Sequence, residues 1–312
     1  MGTPRIIFAC PFPRDQIAGG IRHTYQHADL LRRQGIEALV FSPQGHPSWF
    51  RSQAEVVSDP AFGFTSDDIV VVNEIVSEVT QQFLRLPSRK QMFCQNQFYS
   101  FGQVLGLHGH DELGISEVYG SSLSIREFYR RVYGYPCIDV VPYAIDGQLF
   151  RPAAKRMQIA YVPRKLPFEA EFIRTAFQRG NPRYRTIPWV AINGRSEEEA
   201  AEIMAESAVF LSLGHLDSFG LTAVEAMSAG CAVIGLHGGG GLEFATADNG
   251  CWFFYDQLLD CVAALGDVVA ELERGDAALQ TRIDAGRRTA ARYNETATLT
   301  ALLNHFQHSL RP

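Results

Sequence analysis

Short continuous apolar runs alternate with amphipathic stretches along the whole chain, and this alternation limits the possible folds more than any other feature of the sequence. A strand covered on both faces reads as an unbroken apolar run, and a helix lying on a sheet reads as a stripe at three- and four-residue spacing. The pattern therefore predicts parallel sheets with crossover helices. The first series comprises strand Arg5–Cys10, helix Ile21–Gln34, strands Glu37–Ser42 and Ile69–Asn73, helix Val76–Leu86, strands Gln91–Gln95 and Ile115–Tyr119, helix Leu123–Tyr133 and strand Ile138–Pro142. A polar, proline-bearing segment, Asp146–Met157, interrupts it. The second series comprises strand Gln158–Val162, helix Phe168–Arg179, strand Ile187–Ile192, helix Ser196–Ser207, strand Ala208–Leu213, helix Phe219–Ala229 and strands Cys231–Leu236 and Cys251–Phe254. Three helices, Gln257–Arg274, Ala277–Tyr293 and Glu295–Leu310, follow.

The expected fold is α/β, with two doubly wound, Rossmann-like domains facing each other across a cleft. Residues 1–147 form the first domain, 148–294 the second, and a helix in 295–312 packs back on the first. A length of 312 residues suits two domains.

Hydrophobic residues make up 46% and charged residues 20%, a globular composition with apolar surface enough for two cores. The formal net charge of −6, with no long basic run, excludes nucleic acid as the main partner, because neutralising phosphates takes clustered Lys and Arg. The six cysteines contain no CxxC pair, and several sit in apolar runs, so they read as reduced core residues of a cytoplasmic protein. Ile6–Cys10 is too short for a signal-peptide core, and no run reaches the ~20 apolar residues of a membrane span. Arg126, Arg130 and Arg131, interleaved with Phe128, Tyr129 and Tyr133, suit either peripheral contact with an anionic membrane or a solvated helix with a buried aromatic side.

In open parallel sheets ligands bind beyond the carboxyl ends of the strands, which directs attention to the loops after Cys10, Val162, Leu213 and Leu236. After Leu213 the loop carries Asp217, then Ser218, which can cap, and a helix expected to open at Phe219. The N–H groups of Ser218, Phe219, Gly220 and Leu221 would then present the positive end of a helix dipole to a diphosphate or polar sugar. Glu225 stands eight positions after Asp217, beside an apolar face where an acid needs a partner such as a pair of ribose hydroxyls. An ordinary crossover, with Asp217 capping the helix and Glu225 solvated, accounts for the same residues. Arg164 and Lys165, at the end of another strand, suit a diphosphate or an exposed loop. His23 and His27 lie one turn apart after Gly19 and Gly20, without a third close ligand for zinc, so no metal site is expected.

The run Asp217, Ser218, Phe219, Gly220, Leu221, Glu225, Ala226, Met227, Gly230 and the apolar strand after it resembles the donor-site signature of the family 4 retaining glycosyltransferases. Gly19, Gly20 and Ile21 are similar to that family's N-terminal glycine loop, Val140–Pro142 with Asp146, Phe150 and Pro152 to its interdomain segment, and His237–Glu243 to the glycine turn and acid after the next strand. The resemblance implies a GT-B fold and transfer of a hexose-type unit, with retention and no obligatory metal, from a nucleotide diphosphate sugar to a hydroxyl of a glycan, lipid or small molecule. It implies no cofactor beyond that co-substrate. Asp217, Arg164 and Lys165 take the catalytic roles. Ser218, Phe219, Gly220, Leu221, Glu225, Gly19, Gly20, Gly239 and Gly240 bind the donor.

Three positions depart from the family pattern. Asp217 replaces the usual Glu, Glu169 stands where a Lys is usual, and Gln95, Asn96 and Gln97 occupy the place of an N-domain His. Amides can hydrogen-bond hydroxyls but cannot act as a general base. A non-catalytic GT-B subunit that binds nucleotide or glycan is the competing reading. An NAD-binding Rossmann enzyme is disfavoured because Pro11 and Pro13 follow the first strand where a GxGxxG turn would be required.

Overall fold

Val, Ile and Phe fill the short runs, and in the computed structural model, which describes residues 4–75, 78–100 and 109–310, these runs form the centres of two sheets. The first sheet contains β1 (Ile6–Ala9), β2 (Ala38–Phe41), β3 (Val56–Val57), β4 (Ile69–Asn73), β5 (Arg89–Cys94), β6 (Ile115–Gly120) and β7 (Asp139–Val140). Its order is β3-β2-β1-β4-β5-β6-β7, and all its pairings are parallel. Helices α1 (Gly19–Arg32), α2 (Glu78–Leu84) and α3 (Leu123–Phe128) belong to the same part of the chain.

The second sheet has the order β12-β11-β10-β8-β9, built from β8 (Arg156–Tyr161), β9 (Trp189–Ala191), β10 (Ser207–Asp217), β11 (Ala232–Gly239) and β12 (Cys251–Phe253). Its helices are α4 (Pro167–Gly180), α5 (Glu197–Glu206), α6 (Leu221–Ser228), α7 (Leu258–Arg274) and α8 (Ala277–Ala290). Ser196 caps α5 through a reciprocal box with Glu199. The last helix, α9 (Glu295–Phe306), completes the chain's secondary structure.

The chain divides into two compact units, Ile145–Asn294 and the remainder, Met1–Ala144 with Glu295–Pro312. Helix α9 belongs to the first sheet because Leu302 and Phe306 are fully buried in one cluster with Ile6, Phe8 and Tyr119. Polar contacts fix its register. Thr298 Oγ1 donates to the Pro142 carbonyl at 2.8 Å, and His305 lies between Asp139 (2.8 Å) and Gln91 (3.2 Å).

Several boundaries differ from expectation. Residues 76 and 77, at the start of the expected second helix, lie outside the described residues, and α2 ends at Leu84. The expected helix to Tyr133 is α-helical only to Phe128. A π-type turn then runs to Tyr133 and ends at Gly134 in the left-handed conformation. Tyr129 is buried there, while Arg130 and Arg131 both contact Glu127, which leaves a solvated basic rim over an aromatic interior. All six cysteines are free, and burial pushes the Cys10 thiol up to about 12. Among the described residues no helix is long and apolar enough to cross a membrane.

Phe306→Ala should remove a large, fully enclosed side chain from the core shared by α9 and β1. A loss of about 3–5 kcal/mol is expected in urea denaturation of the purified chain.

Candidate functional site

In the second unit the carboxyl ends of three adjacent parallel strands, β8, β10 and β11, gather the residues singled out above. Both β10 and β11 run further than their apolar runs. Pairing continues from Gly214↔His237 to Asp217↔Gly239 with an irregularity between them, and Leu216 adopts a positive φ of 46° there. Sequence reading ended these strands at Leu213 and Leu236, the last residues of their apolar runs, but the backbone ladder needs no apolar side chain to continue.

The two strand ends then cross at backbone-on-backbone distance. A Cβ on Gly240 would overlap the Ser218 carbonyl and the Asp217 oxygen, and one on Gly238, whose φ is +66°, would sit 2.8 Å from Gly214. Only glycine allows this approach. The turn expected to span four glycines is thus a strand as far as Gly239, followed by a 3₁₀ turn, Gly240–Glu243.

Helix α6 begins two residues later than expected. Gly220 at φ 99° is its N-cap and no side chain caps it, so Ser218 does not play that part. Ser218 and Phe219 precede the helix, and the amides at its open end are those of Leu221 and Thr222, since Ala223 N already bonds Gly220 O. Phe219 anchors the entry, with ring centroids 5.2 Å from Phe244 and 4.8 Å from Tyr293. Glu225 lies on the buried side of α6 and is only 8% exposed, so it is not solvated.

Lys165 and Asp217 form an ion pair, and the same ammonium donates to the His215 carbonyl at 3.2 Å. The other carboxylate oxygen of Asp217 accepts from His215 N at 3.2 Å. The cation is thereby fixed beside the strand end, whereas Arg164 is exposed and has no hydrogen-bond or ion-pair partner among the described residues. Glu169 accepts from the Tyr255 hydroxyl.

His237 received no role from the sequence. Its Nδ1 accepts from Gly239 N at 3.0 Å, which leaves the proton on Nε2, buried and without a hydrogen-bond partner among the described residues. Burial lowers its pKa, so the ring is a neutral donor beside the glycine crossing.

In the first unit the carboxyl ends of neighbouring β1, β4 and β5 bring together Gly19, Gly20, Glu74 and Gln95. Gly19 and Gly20 form the first turn of α1 and not a preceding loop. Gln95 Nε2 donates to Gly20 O at 3.0 Å, and a Cβ at Gly20 would lie 3.1 Å from Gln95 Oε1, so this glycine admits the amide. His23 and His27 are both buried, His23 against Tyr143 and His27 between Phe8 and Phe93. Burial lowers His23 well below its usual value and His27 to about 3, which keeps both neutral. Among the described residues no cluster of His, Cys, Asp and Glu could hold a metal ion.

Glu74 escaped the sequence reading, although an acid directly after the end of a parallel strand was a usable signal. One of its oxygens accepts from Asn96 N at 2.8 Å, and the other is buried without a partner among the described residues. Burial pushes the carboxyl up to about 7.

Two α/β units, each a parallel sheet with ligand-suited loops at the carboxyl ends of its strands, constitute the GT-B architecture. No family model matches the sequence. The chain is 28% identical over 243 residues, 74% of its length and 72% of the relative's, to an alpha-1,6-glucosyltransferase of Actinobacillus pleuropneumoniae. Its sequence is homologous to a glycosyltransferase. In fold it is similar to a glycosyltransferase from Rickettsia africae (TM-score 0.70, 11% identity, 100% of both chains). It is also similar to a sucrose-phosphate synthase from Thermosynechococcus elongatus (0.69, 12%, 98% of both chains). Anabaena HepE in complex with UDP is comparable (0.68, 12%, 97% of this chain and 100% of that one).

The Glu74 carboxyl yields a pH prediction. Its usual value is 4.5, so between about 4.5 and about 7 the folded chain holds a proton that the unfolded chain has released. Stability present below pH 4.5 is therefore lost as pH rises toward 7. Glu74→Gln keeps an acceptor for Asn96 and should flatten this slope by about 3 kcal/mol across the window in urea titrations.

Proposed function

We propose that the chain transfers a hexose-type unit from a nucleotide diphosphate sugar to a hydroxyl acceptor, with retention and without an obligatory metal. The observation that carries the reading is the convergence of Arg164, Lys165, Asp217, Glu225, the open amides of α6 and the Gly238–Gly240 crossing at one end of a single parallel sheet. Homology to a glycosyltransferase supports it. The UDP bound to HepE makes a uridine diphosphate sugar the first donor to test.

The bond from the anomeric carbon to the β-phosphate oxygen breaks, and negative charge grows on the diphosphate. Lys165, held by Asp217 and the His215 carbonyl, meets that charge without reorganising. Arg164 and the Leu221 and Thr222 amides add to it. The acceptor oxygen forms its bond on the face that the diphosphate leaves, and its proton passes to the departing phosphate oxygen. Asp217 stabilises the positive charge developing at the anomeric carbon. Glu225 receives the ribose hydroxyls, and Ser218, Phe219, Gly239 and Gly240 line the sugar and phosphates.

Arg164→Ala should lower turnover at saturating donor by about 10²-fold, near 2.7 kcal/mol, with a smaller change in nucleotide affinity. Wild-type turnover in this variant would remove Arg164 from the chemistry. Glu225→Ala should weaken UDP binding by at least about tenfold in calorimetry while the circular dichroism spectrum is unchanged.

A further inference from the structure

Along one face of α8 a groove of about 590 Å³ opens against residues 246–249, a volume typical of ligand sites. At 100° per residue, Arg282 and Arg288 fall about 120° apart around the helix, with Ala285 midway, and about 9 Å apart along it. The two guanidiniums thus form opposite rims of a shallow floor made by Ala278 and Ala285, and Arg292 stands beyond the end of the helix. The facing wall is fixed, because Asn249 Nδ2 donates to Phe244 O at 2.7 Å and to Thr289 Oγ1 at 3.1 Å.

Some exposed arginines elsewhere pair with a near acid, as Arg130 does with Glu127, Arg174 with Glu171 and Arg195 with Glu199, whereas Arg164 does not. Even Arg287, next in sequence, lies 3.9 Å from Asp284. Arg288 has no ion-pair partner among the described residues, and Arg292 makes only a 3.5 Å contact to the Thr289 carbonyl. The groove lining holds three arginines and one acid, Asp248, in a chain of net charge −6. Arg282 pairs with Glu271 at 3.6 Å, and Arg288 and Arg292, which have no acid partner among the described residues, are positioned along this concave surface for an extended anion. At the Arg292 end the groove adjoins Tyr293, whose ring packs on Phe219 at the entry to α6.

We infer that this groove binds a glycan strand carrying anionic groups, phosphodiester or carboxylate, and holds it beside the donor site. The glycan carrier rests on the glycosyltransferase reading, whereas the preference for an anion does not.

The test is calorimetry of the full chain at low salt with four probes of similar length: an oligo(glycerol phosphate), an oligogalacturonate, neutral maltohexaose and oligothymidylate. At least one anionic glycan should bind about tenfold tighter than maltohexaose, and which one does identifies the anion. Arg288→Glu/Arg292→Glu should lose that tenfold, Arg288→Gln should lose less, and UDP affinity and donor hydrolysis should be unchanged in both. The inference is overturned if neither anionic glycan exceeds maltohexaose, if oligothymidylate binds more tightly than either, or if the double variant binds as the wild type does. Absent UDP binding in the wild type would instead count against the donor-site reading, and the probe titrations would still decide the groove.

Discussion

Much of the second unit depends on one close approach, the crossing of the β10 and β11 ends at Gly240, where a methyl group would overlap the neighbouring backbone. Because the two chains touch there without side chains between them, the 217–219 loop is pinned to the 3₁₀ turn that follows β11. Phe219 can then lodge against Phe244 and Tyr293. That lodging sets where α6 begins, and the start of α6 sets which amides stay open and which way Glu225 points. The Lys165–Asp217 pair is a consequence of the same crossing, since Asp217 is the last residue of the lengthened strand.

Charge is handled differently in the two units. At the strand ends of the first unit, polar groups are buried and neutral: His23 and His27 without protons to spare, and Glu74 holding one into the neutral range. Desolvation dominates there, as the leading cause of each shift shows. The second unit keeps Lys165 and Asp217 partly exposed and Arg164 exposed, so its cations retain solvent access.

The alternation of apolar runs was enough to reveal both parallel sheets, and most strand centres lie where the sequence puts them. Strand ends were less legible. Leu213 and Leu236 look terminal because hydrophobicity stops there, yet the ladder continues through Gly214 and His237, whose side chains contribute nothing to the pattern. Val56–Val57 is too short to register as a strand without its β2 partner. At the site, the spacing of Asp217 and Glu225 was visible, but the pairing of Lys165 with Asp217 joins residues 52 positions apart and has no local signature. Burial also separated look-alikes, placing Glu225 inside and Arg164 outside, a distinction that residue type alone does not carry.

The return of α9 to the first sheet makes the second unit an insertion. The chain leaves the first unit after Ala144 and re-enters at Glu295, and these two passages are bridged by Ile145 N bonding to Tyr293 O at 2.9 Å. Vectorial synthesis therefore reverses the usual order in which domains complete. The 145–294 segment has all its strands and helices while the first sheet still lacks Leu302 and Phe306, so the unit that starts first finishes last. Because its two ends lie a single hydrogen bond apart, the inserted unit is also a cassette, one that evolution or an engineer could exchange through neighbouring junctions without rethreading the sheet that receives it.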